Sequence, residues 1–364
     1  MYDLGYVLAK AGRFVEVLAL SERVIETKTR TLGERHPSTL LSKNNKVAFL
    51  QGMARYSEAQ PLAEQVLATY TEILGPDHKS TLQAANNAAT GYLAQGRFEE
   101  AAERLHTVYE RYVRVLGKDN QETAGTLENY ANALYRLKRT DEVLVILKEV
   151  LEIRTRVFGE NHPATSRTRS NLATVLSRQG KLDEALEIQR HELGVMLPAL
   201  GPDHLTIATL KLKIATTLGR QKKYDEALLE LREALRIQRH AVGEREPMVA
   251  ETLQMIAEDS MDAGKVADAE SSIREAVAIR KEKLGADDPD TLYSQYWAAK
   301  IAGAGGRFEE ALRGASGCYD ASIRTKVTKF QLAKDSAALA AEMAEKLGQA
   351  SAAAGWRKKQ TAPR

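Results

Sequence analysis

The chain has 364 residues, 43% of them apolar and 28% charged, with 52 Lys and Arg against 49 Asp and Glu and a formal net charge of +3. So small a surplus does not argue for nucleic acid, no apolar run is long enough to span a bilayer, and no secretory apolar segment stands at the start. The single cysteine, Cys318, excludes an intramolecular disulfide and fits a reducing compartment, so a cytoplasmic location is expected, with that thiol packed in the core.

A glycine recurs every 42 residues, at Gly33, Gly75, Gly117, Gly159, Gly201, Gly243 and Gly285. A basic ladder runs in step with it at Arg13, Arg55, Arg97, Arg139, Lys181, Lys223, Lys265 and Arg307. A period held that strictly predicts an all-α, right-handed solenoid of about eight helical hairpins, in which each unit buries its apolar face only against its neighbours. The chain begins about one turn inside the first helix of such a unit, because Leu4 and Gly5 align with Leu172 and Ala173. An exposed N-terminal edge is the expected result, a surface on which copies of the chain could form a homo-oligomer. From there one pattern repeats, clearest between His162 and Gly201. The first helix is predicted from about Pro163 to Arg178, opened by a proline where a missing N–H costs nothing; Pro37, Pro247 and Pro289 repeat this. The second is predicted from about Leu182 to Leu200, closed by the ladder glycine in a left-handed conformation. Small residues at Val17, Ala59, Ala101, Val143, Ala185, Ala227, Ala269 and Ala311 let helices approach closely, and a second core row runs from Val24 to Cys318 with a break at Glu192. Past Arg307 the next ladder position is Val327 instead of glycine. The expected organisation is a solenoid over 1–322, a capping helix within 323–349, and a disordered basic tail over 350–364 that carries Trp356, Arg357, Lys358 and Lys359.

These residues resemble the tetratricopeptide repeat in its 42-residue form, known from kinesin light chains and bacterial signalling proteins. LGERHPSTL (32–40), LGPDHKSTL (74–82) and FGENHPATS (158–166) are similar to its inter-repeat loop, and SNLATVLSRQGKLDEA (170–185) is similar to its hairpin. The aromatic expected near the start of the first helix is replaced by Arg169, and the heptad-rich segment that joins kinesin light chains to a motor is missing, so membership of that complex does not follow. The resemblance implies that the first helices line a concave groove where protein ligands bind.

Positions two, six, nine and thirteen of each first helix form one stripe. It begins with an asparagine in the same place four times, Asn45, Asn87, Asn129 and Asn171, although asparagine is a poor helix-interior residue. A row of amides can bind an extended peptide backbone whatever its side chains, the role the resembling family implies; the alternative is that the amides bond to the neighbouring repeat. Asn132 shares this stripe. Arg136, Arg178 and Arg220 then occupy the last position, with Arg167 and Lys213 nearby, and no acidic residue falls within 163–179 or 205–222. Such segregation suits an anionic ligand and guanidinium forks suit carboxylates; ion pairs to adjacent second helices are the bland alternative. One repeat on, the stripe turns acidic at Glu251, Glu258 and Asp262. Tyr293, Tyr296 and Trp297 follow, either an anchor pocket for a peptide or packing against the cap.

Histidines His36, His78, His162 and His204 lie one per repeat and do not converge on a metal, and neither a nucleophile with a partnered base nor a phosphate loop stands out. The sequence therefore reads as a non-enzymatic scaffold without cofactor or metal, binding an extended acidic peptide through Asn45, Asn87, Asn129, Asn132, Arg136, Arg167, Asn171, Arg178, Lys213, Arg220, Tyr293 and Trp297. At ~0.2 to 1 kcal/mol per exposed ion pair, micromolar affinity is expected. Two other readings stay open: a sensor or self-association module of a kinase or STAND-type ATPase, and nucleic-acid binding by the basic groove, against which the acidic repeat counts.

Overall fold

The computed structural model describes residues 14–325 and 331–361. Arg13, the N-terminal edge at Leu4 and Gly5, and Val327 lie outside them. The described residues form seventeen helices: α1 (Phe14–Leu32), α2 (Pro37–Gly52), α3 (Tyr56–Leu74), α4 (Lys79–Ala94), α5 (Phe98–Leu116), α6 (Gln121–Arg136), α7 (Thr140–Phe158), α8 (Pro163–Arg178), α9 (Leu182–Leu200), α10 (Leu205–Arg220), α11 (Tyr224–Val242), α12 (Pro247–Asp262), α13 (Val266–Leu284), α14 (Pro289–Ala304), α15 (Phe308–Arg324), α16 (Leu332–Lys346) and α17 (Ala350–Thr361). Even-numbered helices are the first helices of the repeat. The chain divides inside α8 into two compact units, Met1–Val175 and Leu176–Arg364.

Two kinds of turn set the period. Between hairpins, the ladder glycine donates its N–H to the carbonyl four residues back, as Gly117 does to Val113 at 3.0 Å. Its backbone is not the left-handed helical form the sequence suggests: Gly117 has φ 79° and ψ 172°, Gly201 φ 83° and ψ 161°. That region is open to glycine almost alone, which explains why the ladder admits no other residue. Within hairpins, the N–H of Arg55, Arg97, Arg139, Lys181, Lys223, Lys265 and Arg307 returns to the carbonyl five residues back, for example Arg139 to Leu134 at 2.9 Å, closing each first helix. Here φ is also positive but glycine is not obligatory: Ala54, Lys138 and Lys222 sit at 56°, 62° and 61°. The basic side chains at these corners pair with first-turn acids of the second helices, Arg55 with Glu58 and Arg139 with Glu142, both at 2.6 Å.

Helix starts are capped from the loop. His36, His78, His162 and His204 each accept a backbone N–H at Nδ1, all at 3.1 Å, and Asn120 and Asp288 do the same with side-chain oxygens at their places in the ladder. Buried Thr39, Thr81, Thr123 and Thr165 donate to the carbonyls of the preceding ladder glycines at 2.8–2.9 Å, tying each loop to the helix that follows.

The small-residue row is buried throughout, and the row from Val66 to Cys318 keeps Glu192 at 2% exposure, so the core is not opened there. Burial pushes the Cys318 thiol up to about 12, an inert packed sulfhydryl. The C-terminal expectation needs correcting. Residues 350–361 are helical rather than disordered, and α16 and α17 together continue the 42-residue register as one more hairpin: Ala353 extends the small row at 3% exposure, and Gln349 N–H closes the turn on the Ala344 carbonyl at 2.8 Å. Four alanines give α17 its helix propensity, and Trp356 anchors it edge-on to Tyr319 at 5.4 Å.

Candidate functional site

In the N-terminal unit the asparagine row has inter-repeat partners. Asn87 Nδ2 donates to Asn44 Oδ1, Asn129 Nδ2 to Asn86 Oδ1 and Asn171 Nδ2 to Glu128 Oε1, each at 3.2 Å and each 43 residues apart. This supplies the compensation a mid-helix asparagine needs, and it follows the neighbouring-repeat alternative. The bond uses one of two amide N–H groups; the second N–H and the carbonyl are not part of it. Asn45 and Asn87 are half-buried, Asn132 and Asn171 exposed.

Glu128, 15% exposed at its side chain, collects three donors: Asn171, Arg167 Nη2 at 3.5 Å and Arg154 Nη2 at 2.9 Å. Sequence reading placed Arg167 in the groove and overlooked Arg154. Arg154 is 4% exposed and also donates to Thr168 Oγ1 at 2.5 Å and the Ala164 carbonyl at 3.2 Å. It belongs to a ladder of its own. Lys28 with Ser42, Gln238 with Thr252 and Arg280 with Ser294 repeat this bond across fourteen residues at 2.9, 2.7 and 2.5 Å, whereas Met196 and Leu210 fill the same two places with apolar packing. Comparing rows at fourteen-residue offset would have found the pairing in the sequence. Arg136 is exposed, with its guanidinium over the Phe98 ring at 4.8 Å.

In the C-terminal unit Arg178, Lys213 and Arg220 are exposed. Arg178 and Lys213 are each engaged by a neighbouring group. Arg220 Nη1 donates to the Ser177 carbonyl at 2.6 Å and to its Oγ at 2.5 Å, a cation on the last turn of α8 beside the Gly180 N–H that the same carbonyl accepts at 3.0 Å. On α12 Glu258 and Asp259 are partly buried, whereas Glu251 and Asp262 are exposed. Burial raises the Glu258 carboxyl despite bonds from Gln254 and Tyr293. Asp259, which sequence reading passed over, is pushed up to about 6 by burial and then by the charges of Asp262 and Glu258. The aromatics are largely committed to packing: Tyr293 and Tyr296 pack against the cluster of Leu292, Ala321 and Leu332, and Trp297 packs against the core cluster that includes Leu253 and Ile256, with Lys300 Nζ 4.1 Å from its ring.

Among the described residues no group of three or more His, Cys, Asp or Glu could hold a metal ion, and no helix is long and apolar enough to cross a membrane. The fold and its faces define a helical-hairpin repeat protein whose first helices present polar side chains at fixed intervals. Tetratricopeptide repeat models match residues 39–114, 122–197 and 170–240, and a second model of that description matches 1–38 and 249–290. The chain belongs to the tetratricopeptide repeat family, in its 42-residue, kinesin-light-chain-like form.

Solved structures agree on the fold. Nearly identical TPR-like repeats assigned to a Podosopora anserina kinesin light chain are 24% identical at a TM-score of 0.54, covering 57% of this chain and 98% of that one. The apo form of RapI is 14% identical with a TM-score of 0.71, covering 98% and 94%. A Rap protein complexed with Competence and Sporulation Factor is 16% identical with a TM-score of 0.51, covering 98% and 95%. No curated protein matches the chain.

Proposed function

We propose that this protein is a non-enzymatic scaffold of the cytoplasm whose first-helix faces bind an extended protein segment, with acidic residues of that segment opposite α8 and α10. The observation that carries this is the segregation of sign. α8 and α10 contain no acidic residue and expose Arg178, Lys213 and Arg220, while the second helices α9 and α11 open with Asp183, Glu184, Asp225 and Glu226. A solvated surface normally mixes the two signs, and guanidinium groups held at a helix terminus are pre-oriented for carboxylates. In the N-terminal unit the second N–H and the carbonyl of Asn87, Asn129 and Asn171, with Asn45, Asn132, Arg136 and Arg167, supply main-chain and carboxylate contacts; in the C-terminal unit Tyr293 and Trp297 offer the apolar contact. The Rap complex with its factor supports ligand binding on this fold.

The test is fluorescence anisotropy of labelled acidic, neutral and basic peptides against wild type and Arg178→Glu/Lys213→Glu, which leaves the Arg220 cap intact. Reversing two exposed contacts at ~0.5 to 1 kcal/mol each predicts about tenfold weaker binding of the acidic peptide. Equal binding by the variant, or equal binding of all three peptides to wild type, refutes the reading.

A further inference from the structure

The N-terminal unit holds a cavity on the side of α3 and α5 rather than on the first-helix stripe. Its volume is about 560 Å³, and its lining includes apolar Leu67, Leu82, Ala85 and Val108 and charged Glu100, Glu103, Arg104 and Arg111. Its origin is one residue. At the place of Ala85 on α4 the repeats of α2 and α6 to α14 carry Lys43, Leu127, Arg169, Lys211, Leu253 and Gln295, all long side chains, and Leu127, Arg169 and Leu253 are each 3% exposed; the last hairpin has Ala337 there, fully buried. Ala85, unlike Ala337, is half-buried rather than buried, because the volume its long counterparts fill remains open beside it.

The chemistry of the occupant follows from the same row. In the repeat of α10 and α11, Lys211 fills the slot with its aliphatic stem and its Nζ meets Glu230 at 2.7 Å. The residue in the place of Glu230 in the Ala85 repeat is Arg104, so the slot keeps its aliphatic shape while the group that meets its head has changed sign. Arg104 is only loosely held, by Glu64 at 3.3 Å and Glu100 at 3.4 Å, with its guanidinium over the Tyr92 ring, and Glu100 is also bonded by Arg97. Arg111 contacts the Pro76 carbonyl at 3.3 Å and Asp77 only at 4.0 Å. The carboxylate of Glu103 at the rim is exposed to solvent.

We propose that this cavity binds a small amphipathic carboxylate, a single aliphatic chain seated over Ala85 with its carboxyl group on Arg104. Its volume lies in the range of ordinary small-molecule sites, and a bidentate guanidinium bond gives the head group its specificity.

The test titrates octanoate, octylammonium and acetate into the full-length protein by calorimetry, with wild type, Ala85→Leu and Arg104→Glu. Ala85→Leu installs the residue that Leu127 and Leu253 already supply in this array, so the fold tolerates it. Saturable octanoate binding at least about tenfold tighter than either control is expected, lost in Ala85→Leu and turned toward octylammonium in Arg104→Glu. The proposal is overturned if octanoate does not saturate wild type, if octylammonium binds it as tightly, or if Ala85→Leu binds octanoate as wild type does.

Discussion

The fourteen-residue ladder makes a prediction sharp enough to test the account of how repeats are registered. Thr252 Oγ1 donates to Gln238 Oε1 at 2.7 Å, with the two residues 0% and 5% exposed, and the hydroxyl also lies 3.3 Å from the Met248 carbonyl. Thr252→Val keeps the shape and removes the Thr252 donor to a buried amide oxygen, which costs about 1 to 3 kcal/mol. Gln238→Met conserves volume and removes the acceptor while Thr252 keeps Met248, a loss below about 1 kcal/mol. The double variant has no orphaned group and approximates the apolar pair that Met196 and Leu210 form in the same places, so its stability should lie close to Gln238→Met alone. A double-mutant cycle in urea, followed by far-UV circular dichroism, should therefore show a coupling of about 1 to 3 kcal/mol, with Gln238→Met rescuing Thr252→Val. Additive effects, or a double variant as unstable as Thr252→Val, would refute the view that this bond, rather than packing alone, sets the cost.

Other outcomes follow from the same geometry. Replacing Ala54, Lys138 and Lys222 by glycine relieves positive φ at three separated turns; each should stabilise by about 0.5 to 1 kcal/mol, measurable as additive increases in the urea midpoint. Thr123→Val orphans the Gly117 carbonyl it meets at 2.9 Å and should cost about 1 to 2 kcal/mol in the same assay. The Asp259 carboxyl is raised above its unfolded value, so the folded state retains a proton that the unfolded state has released; stability should fall as pH rises from about 4 to 6 and stay lower above that. Asp259→Asn should flatten this dependence and raise stability near pH 7 by about 1 to 2 kcal/mol in thermal melts across pH. Trp356→Ala removes the edge-on contact with Tyr319 and should release α17, read as lost helicity and faster amide exchange over 350–361.

The period alone was enough to determine the hairpin, its length, the class of fold and the small-residue core row, because a repeat that stacks only on itself must place the same residue type at the same depth each time. It also located the glycine corners, though not their backbone form: whether a positive φ continues into helical or extended ψ depends on how the next helix docks, and that separates the obligatory glycines from the turns that tolerate Ala54 and Lys138. The last hairpin escaped notice because Val327 interrupts the glycine ladder and alanine carries little amphipathic signal, yet register and the packing of Trp356 hold residues 350–361 in place. Among the candidate site residues, the rows were legible as rows, but their partners were not. That Asn87, Asn129 and Asn171 reach back to the preceding repeat, that Arg220 caps α8 through Ser177, and that Glu128 gathers Arg154, Arg167 and Asn171 are consequences of residues 26 to 43 apart in the chain meeting in space. One-dimensional spacing fixes which face a residue occupies. Only the packing of one repeat on the next decides which polar group on that face is already satisfied and which volume, as beside Ala85, is left open.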